Sequence, residues 1–157
     1  NTMEINKELK EKLNLPAMSQ ICIAVRDLDR AVAYYESLGL GPFVKPEISY
    51  TDVFYHGRPV TSKWIMGFCS LGQIEMELSQ PVSGPNIYQD FLETKGEGIH
   101  HLGFDVKDMD ERLVRYEKMG VRVLQSGRTP SGGFAYLDTT EIGGAIFEII
   151  QRKSRRV

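Results

Sequence analysis

A chain of 157 residues, 41% hydrophobic and 25% charged, has the size and balance of one globular domain or two small fused units. Its formal charge of −2 announces neither a nucleic-acid nor an anionic-membrane partner, and none is expected. Two cysteines without paired spacing, Cys22 and Cys69, exclude a disulfide framework and a cysteine-rich zinc site, and the expected setting is the reducing cytoplasm.

In residues 1–17, Ile5, Leu9 and Leu13 recur at i,i+4 spacing and the pattern stops at Pro16. This predicts an added helix, packed on the domain or on a partner subunit. No signal-type leader is read at the N-terminus, and no apolar run approaches the ~18 residues of a membrane span. Residues 18–82 form a first module. Ile21, Ile23 and Val25 alternate with Gln20, Cys22 and Ala24, the period of a strand. Asp27 stands at an N-cap position; Leu28, Ala31, Val32 and Tyr35 follow at helical spacing, and Gly39 ends the helix. A long loop then carries Phe43, Tyr50 and Phe54, placed where a substrate lid would form, and His56 on the surface. "KWIMGFCSL" and "IEMELSQ" read as strands, with alternation allowing only one of Lys63 and Trp64 inside. Residues 83–98 are a linker with turn residues and a short helix around Tyr88–Thr94.

Residues 99–152 repeat the first module. Gln20–Gly39 overlays His101–Gly120 without a gap, matching Val25 with Val106, Asp27 with Asp108, Tyr35 with Tyr116 and Gly39 with Gly120. "IEMELSQ" echoes "AIFEIIQ", setting Glu77 over Glu148 and Gln80 over Gln151. Each half reads β-α-β-β-β, so the fold class is α+β with two tandem modules. "GRTPSGGFAY" is either an anion cradle, using Arg128 and the amides of Ser131–Gly133, or a tight turn before a strand, and the turn is preferred. Residues 153–157 are a basic tail, and the whole "RKSRR" stretch from Arg152 to Arg156 reads as solvated.

Strand alternation sorts the polar residues. Gln20, Cys22 and Ala24 share one face; His101, Gly103 and Asp105 share its equivalent in the second module. Glu75 and Glu77 lie opposite Met76 and Leu78, and Glu148 lies between Ile146 and Ile150 on one face. Taken singly, Gln20, Glu75 and Glu77 read as edge or wet-face residues, and His101 as a structural histidine. Gln20/His101 and Glu77/Glu148, however, are two pairs at equivalent positions, and pseudo-symmetry would bring all four together. An imidazole, two carboxylates and an amide oxygen suit a divalent metal of zinc, nickel, cobalt, manganese or magnesium type. Cys22 adds a thiolate only if it leans in. Two open positions would take adjacent oxygens of a small-molecule substrate and stabilise an enediolate. Glu148 is the first candidate for catalytic base, because apolar neighbours penalise its charge, and Glu77 is the second. His100, next to His101 in a strand, is expected on the helix-covered face as a structural residue.

"AVRDLDRAVAYYESLGLGPF", "HHLGFDVKDMDERLVRYEKMGV" and "GGAIFEIIQ" resemble the vicinal oxygen chelate superfamily, which includes glyoxalase I, methylmalonyl-CoA epimerase, extradiol dioxygenases and bleomycin-resistance proteins. The resemblance spans about Met18 to Arg152. It implies βαβββ modules whose curved mixed sheets enclose a metal-site cavity, with metal ligands at Gln20, Glu77, His101 and Glu148. That set is similar to zinc-type glyoxalase I, so the implied function is a metal-dependent lyase or isomerase of glyoxalase I type. The alternatives are a methylmalonyl-CoA epimerase-like racemase and a non-catalytic small-molecule-binding member. Ala24 replaces the arginine that glutathione-using members carry there. The epimerases have histidine and glutamine where this chain has Gln20 and Glu77, and an extra carboxylate that 57–72 lacks. A homodimer is the expected assembly.

Overall fold

The structure, a computed structural model, describes residues 7–8 and 11–157. Nine strands form one curled mixed sheet, a half-barrel of order β3-β2-β7-β8-β9-β6-β1-β5-β4. The first half supplies β1 (Gln20–Ala24), α1 (Leu28–Ser37), β2 (Thr51–Tyr55), β3 (Arg58–Pro59), β4 (Lys63–Leu71) and β5 (Ile74–Ser83). Helix α2 (Ile87–Lys95) joins it to β6 (Gly98–Asp105), α3 (Met109–Lys118), β7 (Val123–Thr129), β8 (Gly132–Leu137) and β9 (Ile146–Gln151). The α+β fold expected from the repeat is the fold observed.

The pseudo-symmetry reaches individual hydrogen bonds. β1 runs parallel to β5 as β6 runs parallel to β9, and β1 meets β6 antiparallel at the centre. Gln80 Oε1 accepts from Leu28 N at the start of α1 (2.8 Å), and Gln151 Oε1 accepts from Met109 N at the start of α3 (3.0 Å). Each thereby satisfies an orphan amide of a helix first turn. Asp27 also caps α1 by accepting from Arg30 N. Its counterpart Asp108 makes no side-chain cap bond and instead pairs with Arg112 at 2.7 Å. Gly39 and Gly120 follow the helices at φ 92° and 80°, the left-handed region that lets the chain turn without a Cβ clash.

The outer face of the sheet is covered by α1 on Val25, Met76 and Leu78, and by α3 on Phe104, Val106 and Ile149. Leu13 packs into this second cluster, and Arg112 and Arg115 donate to the carbonyls of Leu13, Asn14 and Lys12. The N-terminal extension therefore seats on its own domain at Leu13; Ile5 and Leu9 lie outside the described residues. The concave face holds Cys22, Ala24, Trp64, Met66, Phe68, Phe134 and Tyr136, with Ile87, Tyr88 and Leu92 of α2 laid across them. Trp64 takes the inside position and Lys63 is exposed.

The modules differ in one respect that alternation did not reveal. The segment after α1 touches β4 through a Val44–Phe68 bridge, then crosses to pair as β2 with β7 of the second module. Thr51–Tyr55 is thus a strand across the two sheet edges and not a free lid. Of the three aromatics expected there, Tyr50 stacks on Trp64 (5.2 Å between centroids), Phe43 packs under α1, and Phe54 is exposed. Residues 127–136 belong to the β7–β8 hairpin, whose turn is at 130–131, and Arg128 stands opposite Gly133 with its guanidinium paired to Asp110, as the turn reading expects.

Candidate metal centre

The register across the central strands builds the site as two adjacent rows. One row runs Glu75, Gln20, Gly103, Glu148, Tyr136 over β5, β1, β6, β9 and β8. The next runs Phe68, Glu77, Cys22, His101, Ile146 over β4, β5, β1, β6 and β9. Side chains of one row that share a face stand about 5 Å apart, so the four residues named from sequence meet without any long side chain having to reach.

All four are buried. His101 Nε2 lies 3.0 Å from Gln20 Oε1, 2.8 Å from Glu148 Oε2 and 3.9 Å from Glu77 Oε2. Glu148 Oε2 nevertheless accepts no hydrogen bond, because it is close to the imidazole but off its N–H direction. Three oxygens and one ring nitrogen thus converge, and one buried carboxylate oxygen is left without a donor. A bare arrangement of this kind is costly. A divalent cation would satisfy it, so the residues present fit a metal ion of the borderline or hard type. Cys22 also lies close, with ligand atoms of Cys22, Glu77 and His101 all within 4.8 Å of one another. Burial first, and then the Glu77 carboxylate, push its thiol pKa well up, which keeps it a neutral neighbour.

Burial also raises the Glu77 carboxyl against the opposing pull of His101. Burial by itself would lower the His101 imidazole, but the Glu148 and Glu77 carboxylates outweigh it and the net direction is up. Glu77 accepts from Ser79 Oγ and, at 3.3 Å, from the Tyr88 hydroxyl, which is itself bonded to the Tyr136 hydroxyl. Gln20 Nε2 donates to Glu75 Oε1 at 2.8 Å, which turns the amide oxygen toward His101. Gly103 is what permits the first row to close. A Cβ there would stand 2.9 Å from Gln20 Cβ and 3.1 Å from Gln20 Oε1.

Two expectations need correction. His100 does not face the helices outside. Ile23 pairs with Ile99 and Cys22 with His101, so His100 is the extra residue of a β-bulge. The bulge turns both rings inward, with His100 Nδ1 2.9 Å from His101 Nδ1 and its ring packed on Tyr88 and Phe91. Nor is the C-terminal stretch simply solvated. Arg152 is buried in a bidentate pair with Asp105 (2.7 and 2.9 Å) and a third bond to Glu75 (2.5 Å). Arg156 N donates to Glu75 Oε2 at 3.0 Å, and Val157 packs on the concave cluster. Only Lys153, Ser154 and Arg155 are exposed.

Sequence reasoning missed Glu75, Arg152, Tyr88 and Tyr136. Glu75 had one usable signal, its place on the cavity face two residues before Glu77. His56 is exposed in the β2–β3 turn, away from the site. A cavity of about 390 Å³ opens above the donors. Its wall includes Gln20, Glu77, Glu148, Glu47, Tyr50 and Phe68, and the C-terminal segment forms part of its rim. Among the described residues no helix is long and apolar enough to cross a membrane.

Comparison with known proteins gives a consistent picture. The family described as the Glyoxalase/Bleomycin resistance protein/Dioxygenase superfamily matches residues 19–136. Ethylmalonyl-CoA/methylmalonyl-CoA epimerase of Cereibacter sphaeroides is 30% identical over 139 residues, covering 85% of this chain and 96% of the relative. Mitochondrial methylmalonyl-CoA epimerase of Homo sapiens is 28% identical over 143 residues, covering 88% and 75%. The crystal structure of methylmalonyl-CoA epimerase from Mycobacterium tuberculosis superposes with a TM-score of 0.66 at 23% identity, covering 89% of this chain and 90% of that one, a likeness that concerns the fold.

Proposed function

The chain belongs to the Glyoxalase/Bleomycin resistance protein/Dioxygenase superfamily, and on that premise we propose that it is a metal-dependent epimerase of a 2-substituted malonyl thioester of coenzyme A. The reading takes up the epimerase alternative in preference to glyoxalase-type lyase chemistry. Its support is the likeness to curated epimerases across 85–88% of the chain, combined with a donor set suited to a substrate with two oxygens on neighbouring carbonyl groups.

Gln20, Glu77, His101 and Glu148 would hold the divalent ion, which supplies a Lewis acid for the negative charge that develops when the carbon between two carbonyls loses its proton. Glu148, which lines the cavity, takes the proton as base through the carboxylate oxygen that the ion would leave free. Inversion then needs a proton delivered to the opposite face of the enolate. Three carboxylates line the cavity among the described residues, Glu47, Glu77 and Glu148, and Glu47 stands on the segment before β2 and not on the ligand rows. We assign it the second acid–base role, in place of the carboxylate that 57–72 lacks. The proton lost to Glu148 is balanced by the one gained from Glu47, and the reverse reaction exchanges their roles. Tyr136, Phe134 and Met66 wall the cavity and limit water at the reacting carbon.

The test is deuterium exchange and chiral analysis of each methylmalonyl-CoA enantiomer in D2O with metal-loaded protein. Wild-type protein should exchange the C2 proton and interconvert both. Glu47→Gln should abolish interconversion while one enantiomer still exchanges through Glu148. Glu148→Gln should lose both. Absence of exchange with every divalent ion tried, or turnover of a glutathione hemithioacetal in its place, would reject the epimerase reading.

A further inference from the structure

The C-terminal segment carries two guanidinium groups with different fates. That of Arg152 is consumed by Asp105 and Glu75. That of Arg156 has no carboxylate within ion-pairing distance among the described residues. Its Cζ stands 5.6 Å from the centre of the Phe68 ring. Phe68 is a buried wall residue of the cavity and lies directly across from Glu77 in the β4–β5 register. The cation is therefore on the concave side, one strand from a proposed metal ligand.

Its position is fixed from both sides. Arg156 N is bonded to Glu75 Oε2, Arg155 donates to the Gln73 carbonyl, and Val157 packs on the concave cluster. The half-buried Arg156 is thus not a free end, and it shares Glu75 with Gln20. A guanidinium brought over an aromatic wall gives up hydration, and π contact returns only part of that cost. Its charged N–H groups can donate to the substrate carboxylate oxygen that the ion would leave free.

We infer that Arg156 forms an anion subsite for the free carboxylate of the substrate's acyl group, so that the C-terminal segment selects malonyl-type over neutral acyl thioesters. This rests on the epimerase reading for the identity of the substrate, though the subsite itself is defined by the geometry. Because Phe68 faces Glu77, the subsite is placed beside the reacting acyl end and not at the distant phosphates of coenzyme A.

The experiment uses the full chain loaded with a divalent ion, with metal content measured in every variant. Malonate, its monomethyl ester and free coenzyme A are titrated in turn by calorimetry. Arg156→Gln should bind malonate about 10- to 100-fold more weakly, in line with loss of a charge-assisted bond, with metal content and coenzyme A affinity unchanged. Arg156→Lys should recover part of the loss. The wild-type preference for malonate over its monoester should shrink in Arg156→Gln. Equal malonate affinity in wild type and Arg156→Gln would overturn the inference, as would no malonate binding by the metal-loaded wild type. A loss confined to coenzyme A would also overturn it, by moving the cation to the phosphates. If deuterium exchange fails but malonate discrimination persists, the epimerase reading falls and the subsite stands.

Discussion

Gln20 donates its side-chain N–H to Glu75 Oε1 at 2.8 Å, and that one bond decides which end of the amide faces His101. A glutamine can flip at little cost, and as a ligand it is useful only with oxygen inward. Glu75 is held in turn by Arg152 at 2.5 Å and by Arg156 N at 3.0 Å. Glu75→Gln keeps the shape but lets the two amides satisfy each other in either sense, and it leaves Asp105 as the one charged partner of Arg152. We expect the affinity for the divalent ion to fall about 10- to 100-fold, as is usual for groups that orient a ligand. Metal titration against a chelator of known affinity measures it, and an unchanged constant would remove Glu75 from this role.

The two histidines differ in kind. Burial, and then the charge of His101, hold His100 neutral. A neutral His100 Nδ1 can accept from His101 Nδ1–H at 2.9 Å, which reserves Nε2 for the ion; without the ion, Nε2–H donates to Gln20 Oε1 at 3.0 Å. His101→Ala should therefore abolish stoichiometric metal binding. His100→Phe should retain it at saturation with about 10-fold weaker affinity, because the ring still fills the space against Tyr88 and Phe91. Equal loss in both variants, seen by metal analysis after dialysis, would contradict this division.

How much of this was legible in the sequence follows from what each feature depends on. The two modules, the face of each strand and the pairing of Gln20 with His101 and of Glu77 with Glu148 depend on periods of two and on an ungapped repeat, and both are written locally. The inward turn of His100 depends on a register shift between Cys22 and Ile23 on the neighbouring strand, which no local pattern records. The burial of Arg152 depends on partners 47 and 77 residues away. A run of basic residues looks solvated until the carboxylates that receive it are located. The crossing of 51–55 to β7 likewise reflects which sheet edge was open, a property of the assembled half-barrel.

Gly103 tests the row geometry directly. An added methyl would meet Gln20 Cβ at 2.9 Å and Ile150 Cδ1 at 3.0 Å, in a strand fixed on both sides. Gly103→Ala should cost about 1–3 kcal/mol of stability from overpacking. It should also weaken metal binding by pushing Gln20 out of the row. Urea unfolding and metal titration read the two effects separately. Normal metal affinity in a destabilised protein would show that Gln20 tolerates the displacement.

Asp105 gives the structure a specific response to acid. Burial alone would raise its carboxyl, but the bidentate Arg152 pair and the Ser19 hydroxyl outweigh it and hold it below its ordinary value of 3.8. A carboxyl depressed in the folded state contributes stability that is complete above the unfolded value and is lost as pH falls through the lower folded one. Asp105→Asn removes that contribution. With 31% of the side chain exposed, the loss at pH 7 should be near the low end for a charge-assisted bond, about 1.5 kcal/mol. That corresponds to a lowering of the melting temperature by about 3–6 °C. The gap between wild type and variant should stay constant down to about pH 5 and close as the pH drops below 3.8. Urea unfolding across this range checks the sign. A gap that widens in acid would mean that the Asp105–Arg152 pair does not favour the charged carboxylate.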